Sequence, residues 1–144
     1  MDDQTGLPNR VSWEAILEVE EQRSRRHGGD HGLVLVQLVG PVDGRLIERA
    51  AGAIGATVRD VDFVATVDRQ TFAVLALYCQ DIPALVGRLR YAFAAVGLPA
   101  IAQFDARPAG ADLLATWTAM ADDHSLPATL RYVDFNAPAR LAQN

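Results

Sequence analysis

Few side chains of this sequence are grouped in a way that could do chemistry. Residues 27–31 read His-Gly-Gly-Asp-His and place two imidazoles beside a carboxylate, side chains that bind metal ions. Their spacing is neither that of a helix nor that of a zinc site, so we interpret the segment as a flexible polar loop. Residues 123–125 read Asp-His-Ser and contain the side-chain types of a hydrolytic triad. Adjacent residues do not converge as a triad does, so we predict neither a metal site nor a hydrolase.

Composition limits the partners and surroundings of the chain. The 144 residues carry a formal charge of -5 and no sustained basic stripe, which argues against nucleic acid because that binding needs Lys or Arg to neutralise phosphates. The single cysteine, Cys79, excludes an internal disulfide and fits the reducing cytoplasm. The longest apolar runs, residues 33–39 and 72–79, fall far short of the roughly 20 residues of a membrane span. We expect a cytoplasmic domain that contacts neither nucleic acid nor membrane and needs no cofactor.

The apolar pattern predicts helices and strands over the whole chain. Apolar residues at helical spacing predict helices at residues 10–26, 45–59, 82–96 and 111–123. Short runs rich in β-branched and aromatic residues predict strands at residues 33–39, 61–67, 71–78, 99–104 and 129–135. The order is α-βαββαβ-αβ, and its middle is the ferredoxin-like split unit. We therefore predict an α+β fold with a mainly antiparallel central sheet flanked by helices.

The most specific motif precedes the first predicted helix. Residues 5–10 read TGLPNR, in which Gly6 and Pro8 set a turn and Asn9 is placed to cap the helix. This hexapeptide, directly before a long helix and then a buried strand, resembles the start of GGDEF domains, the diguanylate cyclase fold of bacteria. The resemblance implies a nucleotidyl-cyclase-like domain over residues 1–136, with residues 137–144 as a loose tail.

The resemblance also implies that the catalytic residues have been lost. In the family, the GGDEF signature occupies a hairpin turn that here reads DRQTF, residues 68–72. Gln70 then stands at the metal-binding acidic position and Thr71 at the following glutamate. The two aspartates that the family carries near the end of its first strand correspond to Gln37 and Val39. Phosphoryl transfer with magnesium needs anionic oxygen ligands, and this sequence supplies none at those positions.

Two further departures from the family pattern support this interpretation. The connection after the first strand covers only residues 40–44. Family members carry a longer segment there, which binds the guanine base. Near the end, the matching helix ends in Asp122 and Asp123, which places negative charge where a family lysine meets phosphate. We expect no catalytic residue, no bound metal and no synthesis of cyclic di-GMP.

A second, non-catalytic site is the remaining candidate. Many family members bind the product cyclic di-GMP through an Arg-x-x-Asp ahead of the signature, and at that spacing this chain has Arg59 and Asp62. A second arginine often joins from the helix after the hairpin, and Arg90, or Arg88, lies at about the matching distance. A guanidinium can donate two parallel hydrogen bonds to guanine or phosphate, and a carboxylate can accept from the guanine ring N–H.

Two functions therefore stand open. One is a catalytically inactive GGDEF domain that acts as a receptor for cyclic di-GMP through Arg59, Asp62 and Arg90 or Arg88. The other is a ligand-free dimerisation or protein-interaction module derived from a diguanylate cyclase, in which the Arg-x-x-Asp is a relic. An enzyme with altered chemistry is disfavoured because no cluster of candidate acids, bases or nucleophiles is present. The receptor hypothesis requires its arginines and Asp62 to share one surface.

Overall fold

A computed structural model describes residues 1–98 and 102–126 of the chain. The elements in chain order are α1 Arg10–His27, β1 His31–Leu38, α2 Gly44–Thr57, β2 Phe63–Asp68, β3 Thr71–Ala76, α3 Ile82–Ala95, β4 Ala102–Gly110 and α4 Leu113–Asp123. Among the described helices, none combines the length and the apolarity that a membrane crossing requires.

The described strands form one antiparallel sheet in the order β2-β3-β1-β4. This is the strand order of a ferredoxin-like unit in which α2 and α3 connect β1 to β2 and β3 to β4. The predicted α+β class, the antiparallel sheet and the split unit are confirmed. The predicted strand at residues 129–135, the tail and the domain boundary at residue 136 lie outside the described residues.

Helices cover both faces of the sheet, which explains why β1 is apolar almost throughout. Val34 and Val36 face the core under α2 and α3, whereas Leu33 and Leu35 face a second core under α1 and α4. A strand buried on both faces cannot alternate apolar with polar residues. The second core contains Trp13, whose ring meets that of Trp117 edge to face at 5.6 Å between centroids, as aromatic pairs prefer.

The hexapeptide motif forms a turn that ties the chain start to β2. The hydroxyl groups of Thr5 and Thr66 lie 2.9 Å apart, and the backbone N–H of Thr66 donates to the carbonyl oxygen of Pro8. Asn9 then caps α1 by accepting from the backbone N–H of Ser12. These contacts agree with the predicted turn and helix cap, and they fix the entry angle of α1 against the sheet.

Strand β4 extends further than the sequence indicates. The predicted strand ends at residue 104, before Pro108 and Gly110, which favour turns, but β4 continues to Gly110. Pro108 is tolerated because β4 pairs only with β1 among the described strands, and because the β1–β4 register shifts between His31 and Gly32, next to Pro108. Strand β1 likewise begins at His31, two residues before the predicted strand at residues 33–39.

Candidate functional site

Asp62 lies where the chain passes from α2 into β2, and its carboxylate is fully engaged by the protein. The side chain is only 2% exposed. It accepts hydrogen bonds from the backbone N–H groups of Arg59 and Leu77 at 2.9 and 3.0 Å. It also accepts from Arg59 Nε and Nη2 at 3.3 and 3.1 Å. Asp62 therefore fixes Arg59 and joins the start of β2 to the end of β3.

Arg59 combines a fixed position with an accessible guanidinium. Its side chain is 51% exposed, and Nη2 also donates to the carbonyl oxygen of Leu77. The hydrogen bonds to Asp62 raise the pKa of Arg59 further above its ordinary value. The remaining nitrogen, Nη1, has no hydrogen-bond partner among the described residues. Arg59 thus presents unused donors on a side chain whose geometry is already set.

A cleft of about 190 Å³ separates this ion pair from the start of α3. Its lining includes Arg59, Tyr78, Asp81 and Arg88. Asp81 caps α3 by accepting from the backbone N–H of Ala84 at 3.0 Å. Arg88 is exposed and makes no hydrogen bond or ion pair within the described part of the chain. Arg59 and Arg88 therefore line one cleft, which we call the arginine cleft.

The structure does not bring Arg90 to the arginine cleft. Its guanidinium lies 4.8 Å from the ring centroid of Phe104, and it lines a separate cavity of about 330 Å³. Leu89, fully buried between the two arginines, explains the separation. Successive helical residues turn by about 100°, so Arg88 and Arg90 flank the buried side of α3 in opposite directions. Of the two arginines that the sequence offered, Arg88 is the one beside Arg59.

In the hairpin turn between β2 and β3, which the resemblance aligns with the family signature, the Gln70 side chain bonds to the backbone at the end of β1. Gln70 Nε2 donates to the carbonyl oxygens of Leu38 and Gly40 at 3.0 and 2.9 Å. Thr71 is 3% exposed and lies opposite Gln37 in the β1–β3 register. The Gln70 amide therefore presents donors, and no anionic oxygen, to these two carbonyl groups. These neutral side chains do not fit a magnesium ion, which needs anionic oxygens.

Phe72, which follows the hairpin turn, lies fully buried in the core under α2 and α3. Its role in this structure is packing. The connection after β1 is also used structurally, because Val42 packs into the same core and Asp43 caps α2 through the N–H of Leu46. Within residues 1–98 and 102–126, no three His, Cys, Asp or Glu side chains are placed to hold a metal ion.

An ionic network between β4 and α4 was not anticipated from the sequence. Arg107 donates to both oxygens of Asp105 at 3.1 and 2.8 Å and to Asp123 at 2.6 Å. His124 Nε2 lies 2.8 Å from Asp105. Burial alone would raise the pKa of Asp105, but hydrogen bonds from Arg107 and His124 outweigh it and lower that pKa. The negative charge of Asp123 is therefore paired with Arg107, and the network fastens α4 to the sheet.

A buried histidine was also missed, because the sequence placed it in a loop. His31 is 1% exposed, and its Nδ1 accepts the backbone N–H of Tyr78 at 3.0 Å. Since Nδ1 carries no proton, Nε2 carries it and donates to Ser24 Oγ at 2.7 Å. Burial, which is only partly opposed by Glu20 and Asp30, lowers the pKa of His31. The neutral imidazole thus connects α1 to Tyr78, two residues after the end of β3.

This arrangement predicts a loss of stability in mild acid. Between the lowered pKa of folded His31 and the unfolded value of about 6.5, the unfolded chain binds more protons, so stability falls as pH falls. We expect the free energy of unfolding, measured by urea denaturation, to decrease from about pH 7.5 to about pH 5.5. The contribution of this one proton is at most about 1.4 kcal/mol per pH unit.

The control is His31→Asn, which keeps an acceptor for the Tyr78 N–H and does not titrate. We expect its stability to depend less on pH than that of the wild type over the same range. Equal pH dependence in both proteins would contradict the assignment of the effect to His31.

Comparisons with known proteins bear on the fold. No family model matches the sequence, and no curated protein matches it. The structure is similar to the diguanylate cyclase SiaD of Pseudomonas aeruginosa, solved with its activator SiaC, with a TM-score of 0.68 and 22% identity over 85% of this chain and 55% of that one. This chain thus spans about half the length of SiaD. The FimX GGDEF domain of P. aeruginosa gives a TM-score of 0.68 and 20% identity, covering 85% of this chain and 91% of that domain.

A third similar structure is the GGDEF domain of DgcB from Caulobacter crescentus in complex with c-di-GMP. It gives a TM-score of 0.61 and 14% identity over 74% of each chain. At these identities the similarity concerns the path of the chain and not individual side chains. Together with the strand order β2-β3-β1-β4 and the helices on both faces of the sheet, these comparisons show that the chain has the fold of GGDEF domains.

Proposed function

We propose that this chain is a catalytically inactive GGDEF-type domain that acts as a bacterial receptor for cyclic di-GMP through its arginine cleft. The observation that carries the proposal is that Arg59 and Arg88 line the same cleft, with donors on both that no described residue uses. The domain covers residues 1–136 and works in the cytoplasm. It neither binds nucleic acid nor touches the membrane.

Inactivity follows from the side chains at the hairpin and at the end of β1. Gln37, Gln70 and Thr71 are neutral, and the Gln70 amide is committed to two carbonyl oxygens. Without carboxylates, no group holds the metal ions that neutralise a triphosphate and activate the attacking hydroxyl.

Receptor function is supported by the way Arg59 is held. Asp62 fixes the guanidinium before any ligand arrives, which reduces the entropy that binding would cost. Because both oxygens of Asp62 are engaged by the protein, it acts as a positioning residue and not as an acceptor for guanine. Cyclic di-GMP carries two phosphates and two guanines, and guanidinium groups can bind both. The GGDEF domain of DgcB was solved with this ligand.

The volume of the cleft limits how the ligand binds. Drug-sized ligands occupy pockets of about 300–1,000 Å³, whereas the arginine cleft measures about 190 Å³. The cleft is smaller than such pockets, so part of the dinucleotide stays outside it. This geometry favours a ligand that a second surface also contacts, which couples binding to assembly.

Isothermal titration calorimetry with cyclic di-GMP tests the proposal, and α3 offers a matched pair of variants. We expect saturable binding to the wild type. Arg88→Ala is expected to weaken it about 10- to 100-fold, about 1.5–3 kcal/mol, because charge-assisted hydrogen bonds are lost. Arg90→Ala removes the same side chain two residues away, outside the cleft, and should leave the affinity unchanged.

Two results would count against the receptor. Absence of heat at high micromolar ligand would exclude the receptor function. An affinity that depends on Arg90 but not on Arg88 would place the binding site in the cavity that Arg90 lines. Both variants concern exposed side chains on the same helix, so a difference between them does not reflect a general loss of folding.

The alternative is a ligand-free dimerisation or protein-interaction module. Full engagement of Asp62 within the protein favours it, because an Arg–Asp pair of this kind also serves as a local brace between β2 and β3. The similar cyclase SiaD was solved in complex with a protein activator. For this function we expect no heat with cyclic di-GMP, together with self-association in analytical ultracentrifugation or capture of a protein partner.

A further inference from the structure

Tyr78 borders the arginine cleft and is held there in an unusual way. Its φ is 51°, in the left-handed region that non-glycine residues rarely adopt. Its backbone N–H donates to His31 Nδ1, and its ring meets the His31 ring edge to face, with centroids 4.9 Å apart. The buried His31 therefore fixes both the backbone and the ring of Tyr78.

Although it is fixed, Tyr78 remains 59% exposed. It lines the same cleft as Arg59 and Arg88. Aromatic rings and guanidinium planes are the surfaces on which proteins stack nucleobases. A ring that is already immobilised loses little further freedom when a base packs on it. The exposed ring is thus placed to contact a flat, aromatic part of a ligand that the arginines hold by its polar edge or phosphate.

We propose that Tyr78 is the base-stacking residue of the arginine cleft and packs its ring against one guanine of cyclic di-GMP. The proposal rests on the receptor function and names the residue that contacts the flat face of the base. Arg59 and Arg88 hold the phosphate or the O6/N7 edge, and His31 is a positioning residue that orients the ring. The small volume of the cleft suits one base at this place.

The test uses three variants and one spectroscopic signal. Tyr78→Asn removes the ring and introduces a residue that tolerates the left-handed conformation, so the fold is expected to persist. Tyr78→Phe keeps the ring, and Tyr91→Ala removes a second tyrosine that is exposed in the described part of the chain and does not line the cleft. For cyclic di-GMP we expect the affinity to fall about 5- to 100-fold in Tyr78→Asn. The affinity of Tyr78→Phe and of Tyr91→Ala should stay within about twofold of the wild type, because both variants keep the stacking ring at residue 78.

Proton NMR of the ligand gives a readout that a merely structural role of Tyr78 would not change. Stacking on a tyrosine shifts the guanine H8 resonance upfield through the ring current, so the shift should appear with wild type and Tyr78→Phe and disappear with Tyr78→Asn. Binding to the wild type with no loss in Tyr78→Asn, or with no upfield H8 shift, overturns the stacking role and leaves the receptor intact. Absence of wild-type binding overturns both.

Discussion

Incubated with GTP and Mg²⁺ or Mn²⁺, the purified protein is expected to form no cyclic di-GMP and to release no pyrophosphate. The hairpin presents the Gln70 amide to the carbonyl oxygens of Leu38 and Gly40, where a cation would need a carboxylate. Gln37 supplies no charge from β1. Loss of metal assistance removes the main source of transition-state stabilisation in phosphoryl transfer, so turnover should fall below detection. Chromatography of the nucleotides and a pyrophosphate assay measure it.

The control for contaminating activity is a second preparation that carries Gln70→Ala. Turnover that is equal in both proteins comes from a contaminant. Turnover that scales with the amount of wild type and disappears in Gln70→Ala would contradict the prediction, because it would assign chemistry to the hairpin of this chain.

The sequence predicted those parts of the fold that depend on local pattern. The apolar run of β1 indicates burial on both faces, and Asn9 marks the start of α1, where it accepts the backbone N–H of Ser12. The end of β4 was not predictable in the same way. Whether a strand tolerates Pro108 depends on which edge that residue faces, and this is a property of the assembled sheet.

Part of the candidate site likewise follows from local sequence, and the rest depends on the assembled fold. Arg59 and Asp62 lie three residues apart, so their ion pair follows from local geometry. The choice between Arg88 and Arg90 depends on how α3 is rotated against the sheet, which the buried Leu89 sets through packing. His31 reaches Ser24 and Tyr78 only after α1, β1 and β3 have assembled. Its burial therefore could not be inferred from a polar loop sequence.

Restoring the family's acidic residues is expected to yield a less stable protein and not a cyclase. The variant is Gln37→Asp, Gln70→Glu and Thr71→Glu together. A carboxylate at residue 70 would face two carbonyl oxygens that now accept hydrogen bonds. A carboxylate at residue 71 would be buried where the native side chain is 3% exposed. We expect the free energy of unfolding to fall by at least about 3 kcal/mol, since buried charge and unpaired acceptors are each costly.

Synthesis should remain absent in this variant even where it is folded, because the connection from β1 to α2 offers no surface to position guanine. Val42 lies in the core, and Asp43 is used as the cap of α2. Positioning is as necessary as metal for an in-line reaction between two nucleotides. Gln22→Glu, an exposed change of the same type on α1, is the matched stability control and should cost less than about 0.5 kcal/mol. Cyclic di-GMP formed by the triple variant would show that the hairpin and the β1–α2 connection still accommodate a metal-bound nucleotide. Unfolding of the triple variant at the wild-type urea concentration would contradict the predicted loss of stability.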